Sequence, residues 1–339
     1  MNCSSFFDNF FISIWYNIIR WNMKIRKFNY YRFFMFILIL GLIIFGVVKY
    51  INDKNYKESY EYKLLEVGYI NDEINVILDK LNENQINKLL TIKYDKNIVL
   101  FIKEKYFLFK NLEDYLSYKK SHLKTENSYI VSVINTEANI DWFDNERITD
   151  ISKNELILVN RIYGLPEDYV PEDIVLIPLQ YAYDGKRIRN SILDEIESLI
   201  DDGRNNGYSF IVSSGYRSNK EQESLYKNYS NSYGMSEADK YVAHPGHSEY
   251  ETGYTFDLSL FSGDVSDLNS SEEYTWLKNN AHKYGFIFRH EKEKEELTGF
   301  PYSSFRLRYV GKDAATLIYN EKICFEEYYA YFVKGDTNE

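Results

Sequence analysis

Pro245-Gly246-His247-Ser248-Glu249-Tyr250-Glu251-Thr252-Gly253-Tyr254-Thr255-Phe256-Asp257 is the stretch on which the reading of this chain turns. From Tyr254 to Leu260 the residues alternate. Tyr254, Phe256 and Leu258 fall on one face, and Thr255, Asp257 and Ser259 on the other, as in a strand. A polar loop with one histidine and two glutamates therefore leads into a strand that carries a carboxylate on its polar face.

Three further segments share this texture. Ser214-Gly215-Tyr216-Arg217-Ser218 is a strand end that presents an arginine. Gly285-Phe286-Ile287-Phe288-Arg289 starts another strand, and Thr298-Gly299-Phe300 is followed by Phe305-Arg306-Leu307-Arg308-Tyr309-Val310-Gly311. Between them, Tyr208 to Ser213 reads as a strand and Asn219 to Tyr229 as a helix. Ile188, Ile192, Leu193, Ile196, Leu199 and Ile200 make an apolar helical face that Gly203 or Gly207 can end. Ser270 and Glu273 form a capping box before a helix that runs through His282. Tyr129 to Ile134 reads as a strand, and Leu165 to Pro171 as a polar, proline-punctuated loop. Mixed helices and short strands predict an α+β domain over residues 128–335.

Residues 51–127 read as a helical module. Ile74, Ile77, Leu78 and Leu81 keep helical spacing behind a cap at Asn71 or Asp72. Ile86, Leu89 and Leu90 continue the pattern, and Leu112, Tyr115 and Leu116 mark another short helix. Further toward the N-terminus, Phe33 to Val48 is an unbroken apolar run between Arg32 and Lys49. It is shorter than the ~20 residues of an ordinary span, but flanking basic and tyrosine side chains can close the gap. No small-x-small cleavage site follows Val48, so an uncleaved signal anchor over residues 33–50 is favoured over a signal peptide. Arg20, Lys24, Arg26, Lys27 and Arg32 precede it. That bias puts residues 1–32 in the cytoplasm and the rest outside. Met23 followed by Lys-Ile-Arg-Lys is an alternative start to Met1.

Composition narrows the function classes. A net charge of -11 on 339 residues excludes general nucleic-acid binding, which needs a basic footprint. The two cysteines, Cys3 and Cys324, are too few for a Cys-rich zinc module, and their places on opposite sides of the apolar run argue against a disulfide between them. Five histidines remain, few enough to weigh one by one. His247 and His244 lie near the decisive loop. His282 in its helix and His290 in a charged turn read as surface residues, and His122 lies in the helical module. The charge run from Glu291 to Glu296 reads as a solvated loop.

In order and spacing, the four segments resemble the VanY-type D-alanyl-D-alanine carboxypeptidases, which belong with lysostaphin-like peptidases, D-Ala-D-Ala dipeptidases and the hedgehog fold. Leu158-Val159-Asn160, Tyr169-Val170-Pro171 and Ala238-Asp239-Lys240-Tyr241 fit as well. The resemblance covers roughly residues 156–315. It implies a small α+β domain with a central antiparallel sheet, preceded by the helical module and the transmembrane helix. It also implies a zinc peptidase that removes a terminal D-alanine from peptidoglycan stem peptides.

Position by position, the resemblance carries over in part. Arg217 matches the arginine that assists substrate binding and catalysis, Ser248 the serine of the Ser-x-His motif, and Asp257 the metal-binding aspartate. Tyr250 stands at the first zinc histidine, Arg306 at the second, and Ser303 at the general-base glutamate. Asp257 alone does not hold zinc at trace concentration, because a catalytic site takes three protein ligands. A tyrosine with an ordinary pKa near 10 is a costly ligand. Arginine has no acceptor lone pair, and serine does not replace a carboxylate base. A replacement network follows, with Arg306 paired to Asp257 and Tyr250 donating to the same carboxylate. His247 is a possible substitute ligand.

The sequence thus leaves three readings. One is a catalytically impaired cell-envelope protein, with no cofactor, that binds peptidoglycan stem peptide or a protein partner through the former cleft. Another is an active metallo-carboxypeptidase with unusual ligands and zinc. The last is a structural ectodomain.

Overall fold

The computed structural model describes residues 30–140, 146–261, 268–269 and 271–334. The expectations placed on residues 1–29, including Cys3 and the start at Met23, and on Ser270, lie outside them. The chain divides into two compact units, Met1–Lys93 and Tyr94–Glu339.

In the first unit, helix α1 runs Tyr30–Val67, followed by α2, Asn71–Lys80, and α3, Glu83–Leu89. The N-terminal part of α1 is apolar and exposed on every side, and it is long and apolar enough to cross a membrane. Ile74, Ile77 and Leu78 of α2 are buried, as their spacing predicts. The helix begins at Asn71, so its cap falls one residue before the expected one. Ile70 precedes it, and the Glu73 side chain accepts from the Ile70 N–H at 3.1 Å. Tyr56 of α1 donates to the Leu81 carbonyl at 3.2 Å, tying these helices together.

In the second unit, α4 (Lys96–Ile102), α5 (Leu112–Ser121) and α6 (Asn127–Asn135) come first. The texture change at 127/128 does not coincide with the division at 93/94. Tyr106, for example, stacks on Tyr331 with ring centroids 4.0 Å apart. Helix α6 corrects the strand expected at Tyr129–Ile134. Every residue from Ile130 to Asn135 is buried, and a fully buried apolar run has no period by which to tell helix from strand.

Two small pairings follow: β1 (Arg147–Ile148) with β2 (Tyr163–Gly164) in parallel, and β3 (Ile174–Leu176) with β4 (Arg187–Arg189) antiparallel. Ile188 lies in β4 and Ile192 in a 3-10 turn, so α7 spans Leu193–Asn205, and the expected apolar face belongs to three elements. Then come β5 (Phe210–Ser214), α8 (Asn219–Tyr233), α9 (Met235–Tyr241), β6 (Thr255–Leu260), α10 (Glu272–Asn280), β7 (Phe286–Phe288), α11 (Glu295–Thr298), β8 (Arg306–Tyr309), α12 (Lys312–Glu321) and α13 (Phe325–Tyr328). Ser271 caps α10, accepting from the Tyr274 N–H at 3.1 Å.

The central sheet has four antiparallel strands in the order β5-β6-β8-β7. Ile196, Leu199 and Ile200 of α7 pack with Phe210, Val212, Phe256, Leu258, Phe286 and Leu307. Burying each such side chain contributes about 1.5–3 kcal/mol. A second cluster gathers Ile287, Val310, Ala314, Ala315, Ile318 and Phe325. Phe286 and Ile287, adjacent on β7, point into different clusters, as strand geometry requires. The fold is therefore α+β, and it brings the middle of β6 against the start of β8.

Candidate functional site

Strand register assembles the site. Asp257 of β6 is the direct partner of Arg306 on β8 and of Ser214 on β5. Opposed residues of antiparallel strands carry side chains within reach of each other. Tyr250 arrives from a 3-10 turn, Glu249–Thr252, which ends at Gly253 in the left-handed region with φ 72°. A Cβ on Gly253 would meet Ile174 Cδ1 at 2.8 Å, so this sharp exit demands glycine.

The three side chains close on one another. Tyr250 Oη donates to Asp257 Oδ2 at 2.6 Å. Arg306 Nε donates to Tyr250 Oη at 2.8 Å and to Asp257 Oδ1 at 3.2 Å. Tyr250 and Asp257 are 5% and 8% exposed. Burial pushes the Tyr250 phenol up, out of range for a phenolate at neutral pH. Burial pulls Arg306 down, but Tyr250 and Asp257 more than reverse this, leaving its pKa above the ordinary value.

Arg217 approaches from the other side of the loop. Ser218 caps α8 by accepting from the Glu221 N–H, while Glu221 accepts from the Ser218 N–H at 2.7 Å. This capping box sets the first turn. Gln222, in that turn, is buried and accepts from Arg217 Nη1 at 2.8 Å, while its amide donates to the Ala243 carbonyl at 2.7 Å. The guanidinium of Arg217 lies 4.1 Å from the centre of the Tyr250 ring, and that of Arg306 lies 4.9 Å from it. Arg217, Tyr250, Asp257 and Arg306 border a cavity of about 150 Å³, with Ser248 and Phe300 also in its wall.

Ser303 is buried, and its role is local. Its hydroxyl accepts from the Arg306 N–H at 3.3 Å, and its own N–H donates to the His290 carbonyl at 2.9 Å. His247 also lines the cavity, but its ring nitrogens face partners other than Asp257. Nδ1 donates to the Asn160 carbonyl at 2.7 Å and Nε2 lies 3.5 Å from Glu146. Gly164 makes room for this ring, since a Cβ there would come within 2.9 Å of it.

His290 corrects an expectation. It is 4% exposed and lies in the cavity wall, not at the surface. Burial, then Arg289, Arg306 and Arg161, hold the imidazole well below its ordinary pKa, so it is neutral. His282, by contrast, is partly exposed and stacks on Tyr319 with centroids 3.9 Å apart.

The charges beneath the site carry no motif that marks them in the sequence. Arg289, 1% exposed, donates through Nε to Glu249 at 2.7 Å and through Nη1 to Glu326 at 2.9 Å, with a second, shorter bond to Glu326 from Nη2. Glu249 follows Ser248 in the decisive loop and Arg289 ends a quoted segment. Glu326 lies outside every motif, and only the fold brings it there.

Zinc, which the resemblance implies, does not fit these residues. Among the described residues no group of three or more His, Cys, Asp or Glu side chains could hold a metal ion. Both Asp257 oxygens already accept hydrogen bonds. A divalent ion about 4 Å from the Arg306 guanidinium would be repelled by about 8 kcal/mol at an effective dielectric near 20.

Comparison with known proteins gives a consistent set of relatives. The model of the family "VanY: D-alanyl-D-alanine carboxypeptidase" matches residues 185–312. The carboxypeptidase-type protein YodJ of Bacillus subtilis (strain 168) is 34% identical over 230 residues, 62% of this chain and 83% of that protein. A D-alanyl-D-alanine carboxypeptidase of Enterococcus faecalis is 35% identical over 182 residues, 51% of this chain and 65% of its own length. Among solved structures, the LdcB LD-carboxypeptidase, whose structure concerns peptidoglycan recognition, aligns with a TM-score of 0.52 at 34% identity. That match covers 57% of this chain and 93% of its own.

Proposed function

This chain belongs to the VanY family of D-alanyl-D-alanine carboxypeptidases, and from that premise we propose that it binds peptidoglycan stem peptide in the family's cleft without hydrolysing it. The observation that carries the proposal is the closed contact set of Tyr250, Asp257 and Arg306. It stands where the family motifs place two zinc histidines and the zinc aspartate. Ser303, at the position of the general base, has no carboxylate to accept a proton. Without a metal or a base, the cleft lacks the two groups that would activate water.

What remains suits recognition. Arg217 keeps the family position and is held by Gln222. A guanidinium can pair with the terminal carboxylate of a peptide. The apolar first half of α1 supports single-pass anchoring. On this reading the carboxypeptidase-like domain faces the cell wall, outside the membrane.

The test uses the full-length protein in detergent and a stem pentapeptide ending in D-Ala-D-Ala. Titration calorimetry is expected to show saturable binding, and chromatography of the mixture no free D-alanine. Zinc-dependent release of D-alanine would restore the active-enzyme reading. Absence of any binding would leave a structural ectodomain.

A further inference from the structure

The residue that keeps a metal out also has hydrogen-bonding capacity to spare. Arg306 uses Nε for Tyr250 and Asp257. Its two Nη groups have no hydrogen-bond partner among the described residues, and its side chain is 23% exposed in the wall of the cavity. A guanidinium offers its donors as a rigid fork that matches a carboxylate. Here the base of the fork is fixed and the prongs are open.

The neighbouring charges select the ligand. Arg289 is fully engaged by two buried carboxylates. Arg306 is shared with a single carboxylate. Arg217 forms no ion pair among the described residues and hydrogen-bonds to the neutral Gln222 and Ser214. Glu326 lies outside the wall, which therefore sets Arg217, Arg289 and Arg306 against Asp257 and Glu249 and has room for one more negative charge, with those two carboxylates there to oppose a second. That favours a monoanionic carboxylate over a dianionic phosphate. Size agrees, since about 150 Å³ is the scale of a cavity that takes a benzene-sized molecule, enough for one small chain-terminal residue and not for a long segment.

We propose that Arg306 is a recognition residue, replacing metal chemistry with a second guanidinium that grips the terminal carboxylate of a peptide together with Arg217. The Tyr250 ring, lying against both guanidinium groups, spaces and orients the pair. The inference rests on the stem-peptide reading for the identity of the peptide, but not for the class of anion.

Calorimetry on the full-length protein tests it, with EDTA present throughout. The probes are a stem pentapeptide with a free C-terminal carboxylate, the same peptide as its C-terminal amide, and free D-alanine. The carboxylate peptide is expected to bind at least tenfold tighter than the amide. Arg306→Lys, which keeps a cation beside Asp257 but loses the fork, is expected to lose at least tenfold in affinity for the acid and nothing for the amide. Arg306→Gln is expected to do the same, with thermal unfolding checked to establish that it folds. Equal affinity for acid and amide, or full affinity in folded Arg306→Lys, overturns the role of Arg306 and leaves the stem-peptide reading standing. Binding of free D-alanine in an Arg306-dependent way, with no binding of the peptide, does the opposite. It keeps the carboxylate site and removes the stem-peptide reading.

Discussion

Asp257 lies between Ser214 and Arg306 in the sheet, and each of its carboxylate oxygens receives one donor, the shorter from Tyr250. A carboxylate at 8% exposure costs several kcal/mol if left alone, and the cation across the strand pair offsets that cost. Breaking a buried pair from one side typically costs about 3–5 kcal/mol. Because Arg306 is 23% exposed, Arg306→Leu is expected near the lower end, about 3 kcal/mol in urea unfolding. Adding Asp257→Leu should recover part of the loss, giving a coupling of about 1–3 kcal/mol in a double-mutant cycle. Additive losses would mean that the two side chains stabilise the fold independently. Tyr250, Ser303 and Arg306 could be singled out in the sequence because the resemblance assigns each position a chemical task. His290 was not. Its neighbours in sequence are charged, and nothing local signals that the chain turns it inward against Arg289 and Arg306.

At the scale of elements, two helices hold the site from below. The capping box at Ser218 starts α8 and sets Gln222 beneath Arg217. Helix α13 supplies Glu326, whose bidentate contact with Arg289 also braces Glu249 in the Tyr250 loop. Hydrogen bonds to buried charged groups contribute about 1.5–3 kcal/mol. Glu326→Gln is therefore expected to lower unfolding stability by about 2 kcal/mol, since the amide can accept only part of what the carboxylate does. An unchanged midpoint would show that Glu249 alone satisfies Arg289. Strand β6 could be read from its alternation, and β5 and β7 as short strands, but β8, which carries Arg306, was not read as a strand. Helix α6 could not be read, because its β-branched, fully buried run carries no period. The break of the Ile188–Ile200 face into β4, a turn and α7 was equally hidden. All three pieces bury the same kind of residue into one cluster.

Across the whole molecule, the chain joins an apolar helix to a carboxypeptidase-family domain. The proposed anchoring has a direct consequence. The full-length protein is expected to sediment with membranes, to resist extraction by high salt and to be released by detergent; release by salt alone would contradict a spanning helix. Family membership was legible from ordered motifs. The anionic preference of the cavity was not, since it depends on which arginines the fold leaves with open donors.

The central claim is that a fixed guanidinium has taken the place of the metal, and zinc content tests it most directly. Full-length protein purified without chelator would be dialysed against micromolar zinc and assayed by mass spectrometry beside the triple variant Tyr250→His, Ser303→Glu, Arg306→His. The account predicts no stoichiometric zinc on the natural chain and about one ion per chain on the variant, which regains the three-ligand set of a catalytic site. One tightly held zinc per natural chain would contradict it.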